Sequence, residues 1–185
     1  MAKKEKELDL YLVDKKYIRD LSGADDNVLS VSPQIGKNER PFVGIVMILD
    51  EKEYCIPLTS PKNKFEGKSK MDFIKIPDPK LKNSNGSPVT IGILNINNMI
   101  PIAKQYISKL DLSESSDIDK KRRILLQKEI HWCRENLSVI QNRANKVYKA
   151  FTEAPDKSKN LTRRCCDFRK LEAILEKHIS KENNG

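Results

Sequence analysis

Two hydroxyls and an amine lie within four residues of one another in this chain, at Thr59, Ser60 and Lys62. They suit cleavage of RNA by its own ribose 2′-hydroxyl, because the protein then only positions that hydroxyl, moves protons and stabilises charge on the phosphorane. Lys62 would supply a fixed cation and a proton for the leaving oxygen, while Ser60 and Thr59 would hydrogen-bond the phosphate or orient the 2′-hydroxyl. Thr-Ser-Pro is also a common turn sequence, so a structural turn with a solvated lysine stays open as an alternative.

Other side chains are candidates for binding RNA. Arg40 could clamp a phosphate with its planar guanidinium, and Tyr17 could stack on a base or hydrogen-bond a phosphate. Four further basic candidates are Lys64, Lys68, Arg122 and Arg123. Each has a plainer interpretation, in which Tyr17 is a half-buried helix aromatic and the cations are solvated surface charges.

The charge of the chain indicates a polyanionic partner. The 185 residues include 35 Lys or Arg against 26 Asp or Glu, a formal net charge of +9. The excess is mainly C-terminal, because residues 117–185 hold 17 of the basic and 10 of the acidic residues. Neutralising phosphates with such a surplus releases counterions and favours nucleic acid, with an acidic membrane surface as the competing partner.

Length and composition predict one domain spanning residues 1–185, with a core at about 8–179. No apolar run approaches the roughly 20 residues of a membrane span, and the N-terminus lacks the apolar core of a signal peptide, so we expect a cytoplasmic protein without membrane contact. The cysteines Cys55, Cys133, Cys165 and Cys166 lack CxxC spacing, which favours reduced packing thiols. With only two histidines, we expect neither a metal site nor another cofactor.

Apolar runs separated by turn residues predict a sheet that presents the hydroxyls and the lysine. A strand is expected at 8–13, followed by a helix over 15–21 that Asp14 caps and that ends near Gly23. After a loop over 24–40, a hairpin pairs strands 41–49 and 54–58 across a charged turn. Further strands are expected at 71–76, 89–96 and 99–102, with a polar loop over 78–87.

The C-terminal third of the chain has helical periodicity. Apolar residues from Leu126 to Phe151 recur at steps of four and three, which predicts one long amphipathic helix with a basic outer side. Its apolar stripe could pack on the sheet or form the seam of a dimer. A second helix is expected over 161–179 after Pro155, with a frayed tail from Ser180.

Three ordered motifs carry a family resemblance: residues 42–46 (Phe-Val-Gly-Ile-Val), 57–62 (Pro-Leu-Thr-Ser-Pro-Lys) and 92–102 (Gly-Ile-Leu-Asn-Ile-Asn-Asn-Met-Ile-Pro-Ile). With the early helix, residues 110–112 and residues 134–136, the similarity covers most of the chain. The chain resembles the ToxN/AbiQ toxins of type III toxin–antitoxin systems. Matching positions place the family's active-site hydroxyls and lysine on Thr59, Ser60 and Lys62, and its early-helix tyrosine on Tyr17. Where relatives can have lysine before the Phe-x-Gly strand, this chain has Arg40 and then Pro41.

The resemblance implies an α+β fold with a twisted antiparallel sheet, partly barrel-like as in the MazF/Kid toxins, surrounded by helices. It implies a metal-independent endoribonuclease with a sequence preference. The implied partner is a small repeat-encoded RNA folded as a pseudoknot, which the toxin cuts from its precursor and which then blocks the active site in a closed protein–RNA assembly, with no protein antitoxin.

We therefore predict a toxin endoribonuclease that cleaves single-stranded RNA in cells and leaves 2′,3′-cyclic phosphate and 5′-hydroxyl ends. Two alternatives stay open from the residues alone. One is a non-catalytic basic RNA-binding module that only grips phosphates, and the other is a structural protein that dimerises through the long helix.

Overall fold

Seven strands and five α-helices make up the part of the chain that the computed structural model describes, which is residues 8–29, 40–48, 52–65 and 70–183. The strands are β1 (Asp9–Val13), β2 (Phe42–Ile48), β3 (Lys52–Thr59), β4 (Ile74–Lys82), β5 (Pro88–Leu94), β6 (Ile100–Pro101) and β7 (Ile107–Lys109). The helices are α1 (Lys15–Ala24), α2 (Lys120–Glu135), α3 (Leu137–Thr152), α4 (Lys159–Thr162) and α5 (Phe168–Asn183).

The strands form one antiparallel sheet in the order β4-β5-β3-β2-β1-β7, with β6 pairing on β3. This confirms the predicted α+β class with helices around an antiparallel sheet. The sheet is not closed into a barrel: among the described strands, β4 and β7 stand at its two edges. β3 is central, so the end of β3 is held by neighbours on both sides.

The predicted hairpin is β2–β3, in which Phe42 pairs with Pro57 and Val43 with Ile56. Gly44 is required by close packing across this hairpin, because a Cβ at position 44 would collide with the Sγ of Cys55. The turn between the two strands lies at residues 49–51, outside the described residues. The hairpin therefore fixes the direction in which β3 runs out toward the hydroxyls.

The first strand and helix follow the sequence closely. Asp14 caps α1 by accepting a hydrogen bond from the Tyr17 N–H at 2.8 Å. The helix runs one residue past Gly23, and its C-cap is the extended residue Asp25.

The expected polar loop over 78–87 is shorter than predicted, because β4 continues to Lys82 and only residues 83–87 form the turn to β5. β4 is an edge strand, where the missing N–H groups of prolines are tolerated. Asp78 shapes the strand locally, since its Oδ1 accepts the N–H groups of Lys80 at 2.8 Å and Leu81 at 3.0 Å. Its Oδ2 pairs with Lys128 of α2 at 2.8 Å, which ties the edge strand to that helix.

The predicted single long helix is instead two, α2 and α3, which meet at Asn136. Asn136 leaves the helical conformation (φ −114°, ψ 22°), and its side chain donates to the Trp132 carbonyl at 2.9 Å. The apolar stripe itself is confirmed, because its central members are buried in the core of the chain: Leu126, Ile130, Cys133, Ile140, Ala144 and Val147. The stripe packs within the chain and does not serve as a dimer seam.

The last helix also differs from its prediction, since α5 begins at Phe168 rather than 161 and residues 163–167 turn between α4 and α5. Asp167 sets this start by accepting the Lys170 N–H at 3.0 Å. Residues 180–183 are helical rather than frayed, and Glu182 in the final turn accepts a hydrogen bond from the Tyr106 hydroxyl at 2.7 Å.

All four cysteines are buried free thiols, which agrees with the expected packing role. Burial raises the pKa of Cys133 to about 12, so this thiol stays protonated at neutral pH. Among the described helices, none combines the length and apolar character needed to cross a bilayer.

Candidate active site

The strand-end motif, residues 59–62, lies where the central strand β3 leaves the sheet. Thr59 is the last residue of β3 and pairs with Ile93 of β5. Ser60 and Lys62 follow the strand and are exposed. A short 3₁₀ helix over Asn63–Phe65 follows the motif directly. The Phe65 N–H donates to the Lys62 carbonyl at 2.9 Å, which ties this helix to the end of the motif. A rigid strand therefore presents an accessible hydroxyl and an accessible amine.

Asn95 holds the first hydroxyl of the motif in place. Its Nδ2 donates to the Oγ1 of Thr59 at 2.9 Å, and its backbone N–H donates to the Pro57 carbonyl at 3.1 Å. Asn95 is only 7% exposed, so this arrangement is fixed by packing. Because Oγ1 acts as the acceptor toward Asn95, the Thr59 O–H is left to donate to a phosphate oxygen. Sequence reasoning missed Asn95, although an amide directly after an apolar strand was the available signal.

Arg40 lies just before β2, the strand that neighbours β3 on the side away from β5. The Leu58 N–H donates to the Pro41 carbonyl at 3.0 Å, and this antiparallel register, continued by one residue, sets the backbone of Arg40 beside Thr59. Arg40 is half-buried, and burial lowers the pKa of its guanidinium from the ordinary value. It is thus not the fully solvated loop charge of the plainer interpretation.

A buried acid lies beneath the same strand ends. Glu129 of α2 is 3% exposed, and its Oε1 sits where a Cβ of residue 92 would be, so Gly92 makes room for the carboxyl. Burial raises the pKa of Glu129 to about 8, against a smaller lowering by the charge of Arg122. The β3–β5 register, continued by one residue, places Gly92 beside Ser60. An acid on the apolar stripe of α2 was the signal that could have revealed it.

The other predicted cations divide into three cases. Lys64 is exposed beside the motif, with its Nζ 4.9 Å from the centroid of the Phe65 ring. Lys68 lies outside the described residues. Arg122 and Arg123 are half-buried in the first turn of α2, where the Arg122 N–H donates to the capping carboxylate of Asp119 at 3.1 Å.

A family model described as "Toxin ToxN, type III toxin-antitoxin system" matches residues 9–176. The chain belongs to the ToxN toxin family. This membership and the names of its relatives confirm the predicted family and the predicted enzyme class, endoribonuclease.

Named relatives of this ToxN-family chain come from several bacteria. It is 29% identical over 175 residues to the endoribonuclease ToxN of Bacillus thuringiensis subsp. kurstaki, covering 93% of this chain and 84% of that protein. It is 30% identical over 138 residues to the endoribonuclease ToxN of Pectobacterium atrosepticum, covering 73% and 76%. Endoribonuclease AbiQ of Lactococcus lactis subsp. lactis is 28% identical over 144 residues, covering 76% and 74%.

Two solved structures share the fold. One, concerned with selective toxin inhibition by a non-coding RNA pseudoknot in type III toxin–antitoxin systems, superposes with a TM-score of 0.78 at 27% identity and covers 94% of this chain and 98% of its own. The other is AbiQ, a lactococcal anti-phage endoribonuclease, with a TM-score of 0.77 at 24% identity and coverage of 94% and 98%. The second likeness supports the fold alone.

Within the ToxN fold of this chain, Tyr17 is a core residue. It is 1% exposed, its hydroxyl donates to the Pro101 carbonyl at 2.7 Å, and its ring stacks on Tyr106 at 4.7 Å. Burial raises the pKa of this phenol. The side chain is therefore closed to bases and phosphates in this structure, which favours the plainer interpretation of Tyr17 as a packed helix aromatic.

Among the described residues, no group of three or more His, Cys, Asp or Glu side chains is placed to hold a metal ion. The donors at the site are hydroxyls, an amine and a guanidinium. All of these can hydrogen-bond a phosphate, and the two cations can also neutralise its charge.

Proposed function

We propose that this chain cleaves single-stranded RNA without a metal, by attack of a ribose 2′-hydroxyl on the adjacent phosphate. The bond from O2′ to phosphorus forms as the 2′-hydroxyl loses its proton to solvent, and the bond from phosphorus to O5′ breaks as O5′ gains a proton. The products are a 2′,3′-cyclic phosphate and a 5′-hydroxyl. The observation that carries this proposal is the strand-end motif, in which exposed Ser60 and Lys62 stand beside Thr59, itself held by Asn95.

The residues have distinct roles in this reaction. Thr59 and Ser60 donate hydrogen bonds to the non-bridging phosphate oxygens, which gain charge in the phosphorane. Lys62 adds a fixed positive charge and gives a proton to O5′ as that oxygen leaves. Arg40, placed beside Thr59, holds a neighbouring phosphate and so orients the chain for in-line attack.

The partner that fits this site is an RNA that occupies it and resists further cleavage. The family is that of type III toxin–antitoxin systems, and one structural relative concerns inhibition by an RNA pseudoknot. We propose that this chain cuts a small repeat-encoded RNA from its precursor, and that the product folds as a pseudoknot which blocks the site in a closed protein–RNA assembly in the cytoplasm. The formal charge of +9 suits a polyanionic inhibitor such as RNA.

A site-specific 2′-deoxy substitution tests the mechanism. A preferred cleavage site is first mapped on RNA in excess EDTA, and the same RNA is then made with 2′-deoxy at the nucleotide 5′ of the scissile bond. The proposal predicts no scission at that bond and normal scission when the deoxy group is one nucleotide away. Scission at the deoxy-substituted bond would contradict 2′-hydroxyl attack, and RNA retained without any scission would favour the non-catalytic binding module.

A further inference from the structure

A cavity of about 230 Å³ lies beside the strand-end motif and takes no part in the reaction described above. Three asparagines line it, Asn95, Asn97 and Asn98, and we call it the amide cavity. Asn95 belongs to both sites, because it also holds the Thr59 hydroxyl. Whatever the cavity binds is thus one side chain away from the motif.

The amide cavity presents hydrogen-bond acceptors as well as the cations of Lys70 and Arg164. Asn97 donates through Nδ2 to the Arg164 carbonyl, and Asn98 donates through Nδ2 to the Asn27 carbonyl at 2.8 Å. Because a carbonyl oxygen only accepts, these contacts fix which side of each amide carries nitrogen. The Oδ1 atoms therefore lie on the other side, where they can accept from a ligand.

Asp72 adds an acceptor that the protein itself does not use. The residue is 5% exposed and lines the amide cavity, and its Oδ2 accepts from Nε of Arg164 at 2.8 Å. Its Oδ1 is buried and has no hydrogen-bond partner among the described residues. A buried acceptor without a donor costs about 1–3 kcal/mol, so its retention calls for an explanation. A ligand donor would provide one, provided that the side chains covering this oxygen shift to let the donor reach it.

An aromatic wall completes the amide cavity. Phe65 is half-buried and meets the buried ring of Phe73 edge-on, with 4.9 Å between the ring centroids. Single-stranded RNA is commonly bound by stacking an unpaired base on such a ring while polar groups read its edge. Lys64, over the Phe65 ring, supplies a cation for the adjoining phosphate.

We propose that the amide cavity binds one unstacked nucleobase with an exocyclic amine, beside the scissile phosphate, and so determines the base preference of cleavage. Adenine, cytosine and guanine each carry such an amine, which can donate to Asp72 and to the amide oxygens. Uracil offers these acceptors only its N3–H, and the carbonyl oxygens on either side of that group would be repelled by them, so uracil would be disfavoured. This inference rests on the proposed function, since it concerns the RNA that the motif cleaves.

The base preference is tested by cleaving an RNA pool of random sequence with wild-type protein and mapping the ends. We expect one position near the cut to be depleted of uracil. In Asp72→Asn, which replaces an acceptor by a group that also donates, that depletion should fall about tenfold, the change for one hydrogen bond of about 1.4 kcal/mol. The matched control is Asp111→Asn, an exposed carboxylate elsewhere, which should leave the profile unchanged.

A second measurement, of base stacking, tests the same cavity without the Asp72→Asn variant and therefore still applies if that variant does not fold. The RNA carries 2-aminopurine at the selected position and 2′-deoxy at the cut, so it binds without being cleaved. Wild type should quench the fluorescence, and Phe65→Leu should weaken binding about tenfold, as expected for loss of one stacked base. Unquenched fluorescence, or a base profile identical in wild type and Asp72→Asn, would overturn the nucleobase site. Failure of wild type to cleave would instead contradict the proposed function, and quenching of 2-aminopurine in an unstructured RNA of fixed sequence would then decide for or against the cavity.

Discussion

Two basic regions of this ToxN-family chain use their cations differently. In the C-terminal turn, which is residues 163–167 together with the start of α5 to residue 170, Nε of Arg164 pairs with Asp72 at 2.8 Å and a terminal nitrogen of Arg169 donates to the Thr152 carbonyl at 2.6 Å. In the strand-end motif, Lys62 is exposed and has no ion pair with any described residue. The number of basic residues in a stretch of sequence therefore does not predict which of their side chains are available to bind a partner. The C-terminal turn uses Arg164 and Arg169 to hold the fold, and the motif keeps Lys62 for a ligand.

The largest expected effect is on catalysis at the motif. Lys62→Ala should slow RNA cleavage about 10²-fold or more, the scale of losing a proton donor or a charge in the transition state. Its unfolding midpoint in urea should stay at the wild-type value, because the side chain is exposed. Lys82→Ala, on the exposed end of β4, is the matched control. Equal cleavage rates in the Lys62→Ala and Lys82→Ala variants would show that Lys62 has no role in catalysis.

In the C-terminal turn the expected effect is on stability instead. Arg164→Ala leaves the buried carboxylate of Asp72 without its donor and should lower the free energy of unfolding by about 2 kcal/mol. Arg163→Ala changes an exposed neighbour and should stay within about 0.5 kcal/mol of wild type. Urea unfolding of both variants measures the difference. Equal free energies of unfolding for the two variants would contradict the claim that Arg164 stabilises the fold.

A pair of acids on α2 sharpens the same contrast between buried and exposed charge. Burial raises the pKa of Glu129 to about 8, so the folded chain keeps a proton that the unfolded chain releases above the ordinary value of 4.5. This contribution to stability is full below that ordinary value, falls by about 1.4 kcal/mol per pH unit as the pH rises toward 8, and is lost above it. Glu129→Gln cannot titrate and should gain on wild type across this window.

The control for Glu129 is Glu135→Gln, whose carboxylate is 63% exposed at the end of the same helix. Urea unfolding at pH 5, 6, 7 and 8 gives the difference from wild type for each variant. The difference should grow with pH for Glu129→Gln and change little for Glu135→Gln, because its pair with His131 at 3.4 Å is exposed and therefore weak. A flat difference for both would show that Glu129 is ionised in the folded protein.

The smallest effect is expected from the basic first turn of α2. Replacing Arg122 and Arg123 together by Ala should weaken binding of uncleavable RNA a few-fold and reduce the salt dependence of log Kd by about one unit, because phosphate contacts release counterions. Lys146→Ala with Lys149→Ala, two exposed cations on α3, is the matched control. An unchanged salt slope would exclude the two arginines from the RNA interface.

Much of the fold follows from patterns that are local in sequence. The β2–β3 hairpin, the Asp14 cap and the buried stripe of α2 and α3 each depend on residues close together in the chain, and the structure confirms them. The helix break at Asn136 and the length of β4 were missed. The length of β4 depends on its place in the sheet, because prolines are tolerated in this strand only at the edge.

The candidate site was predictable in its residue types but not in its support. Thr59, Ser60 and Lys62 stand out because their chemistry is concentrated in four residues. Asn95 and Glu129 reach them only through strand register and helix packing, which a single sequence does not contain. Tyr17 shows the converse, because the family motif assigned it to RNA, whereas the structure favours the plainer interpretation of a packed helix aromatic.

The most direct test of the account compares wild type with Ser60→Ala on total RNA in excess EDTA, with the chemistry of every new end mapped. Ser60 is exposed, so the variant should fold normally. The account predicts 2′,3′-cyclic phosphate and 5′-hydroxyl ends from wild type and about 10²-fold fewer from the variant. Equal numbers of such ends from both proteins, or scission by wild type that requires a metal, would contradict it.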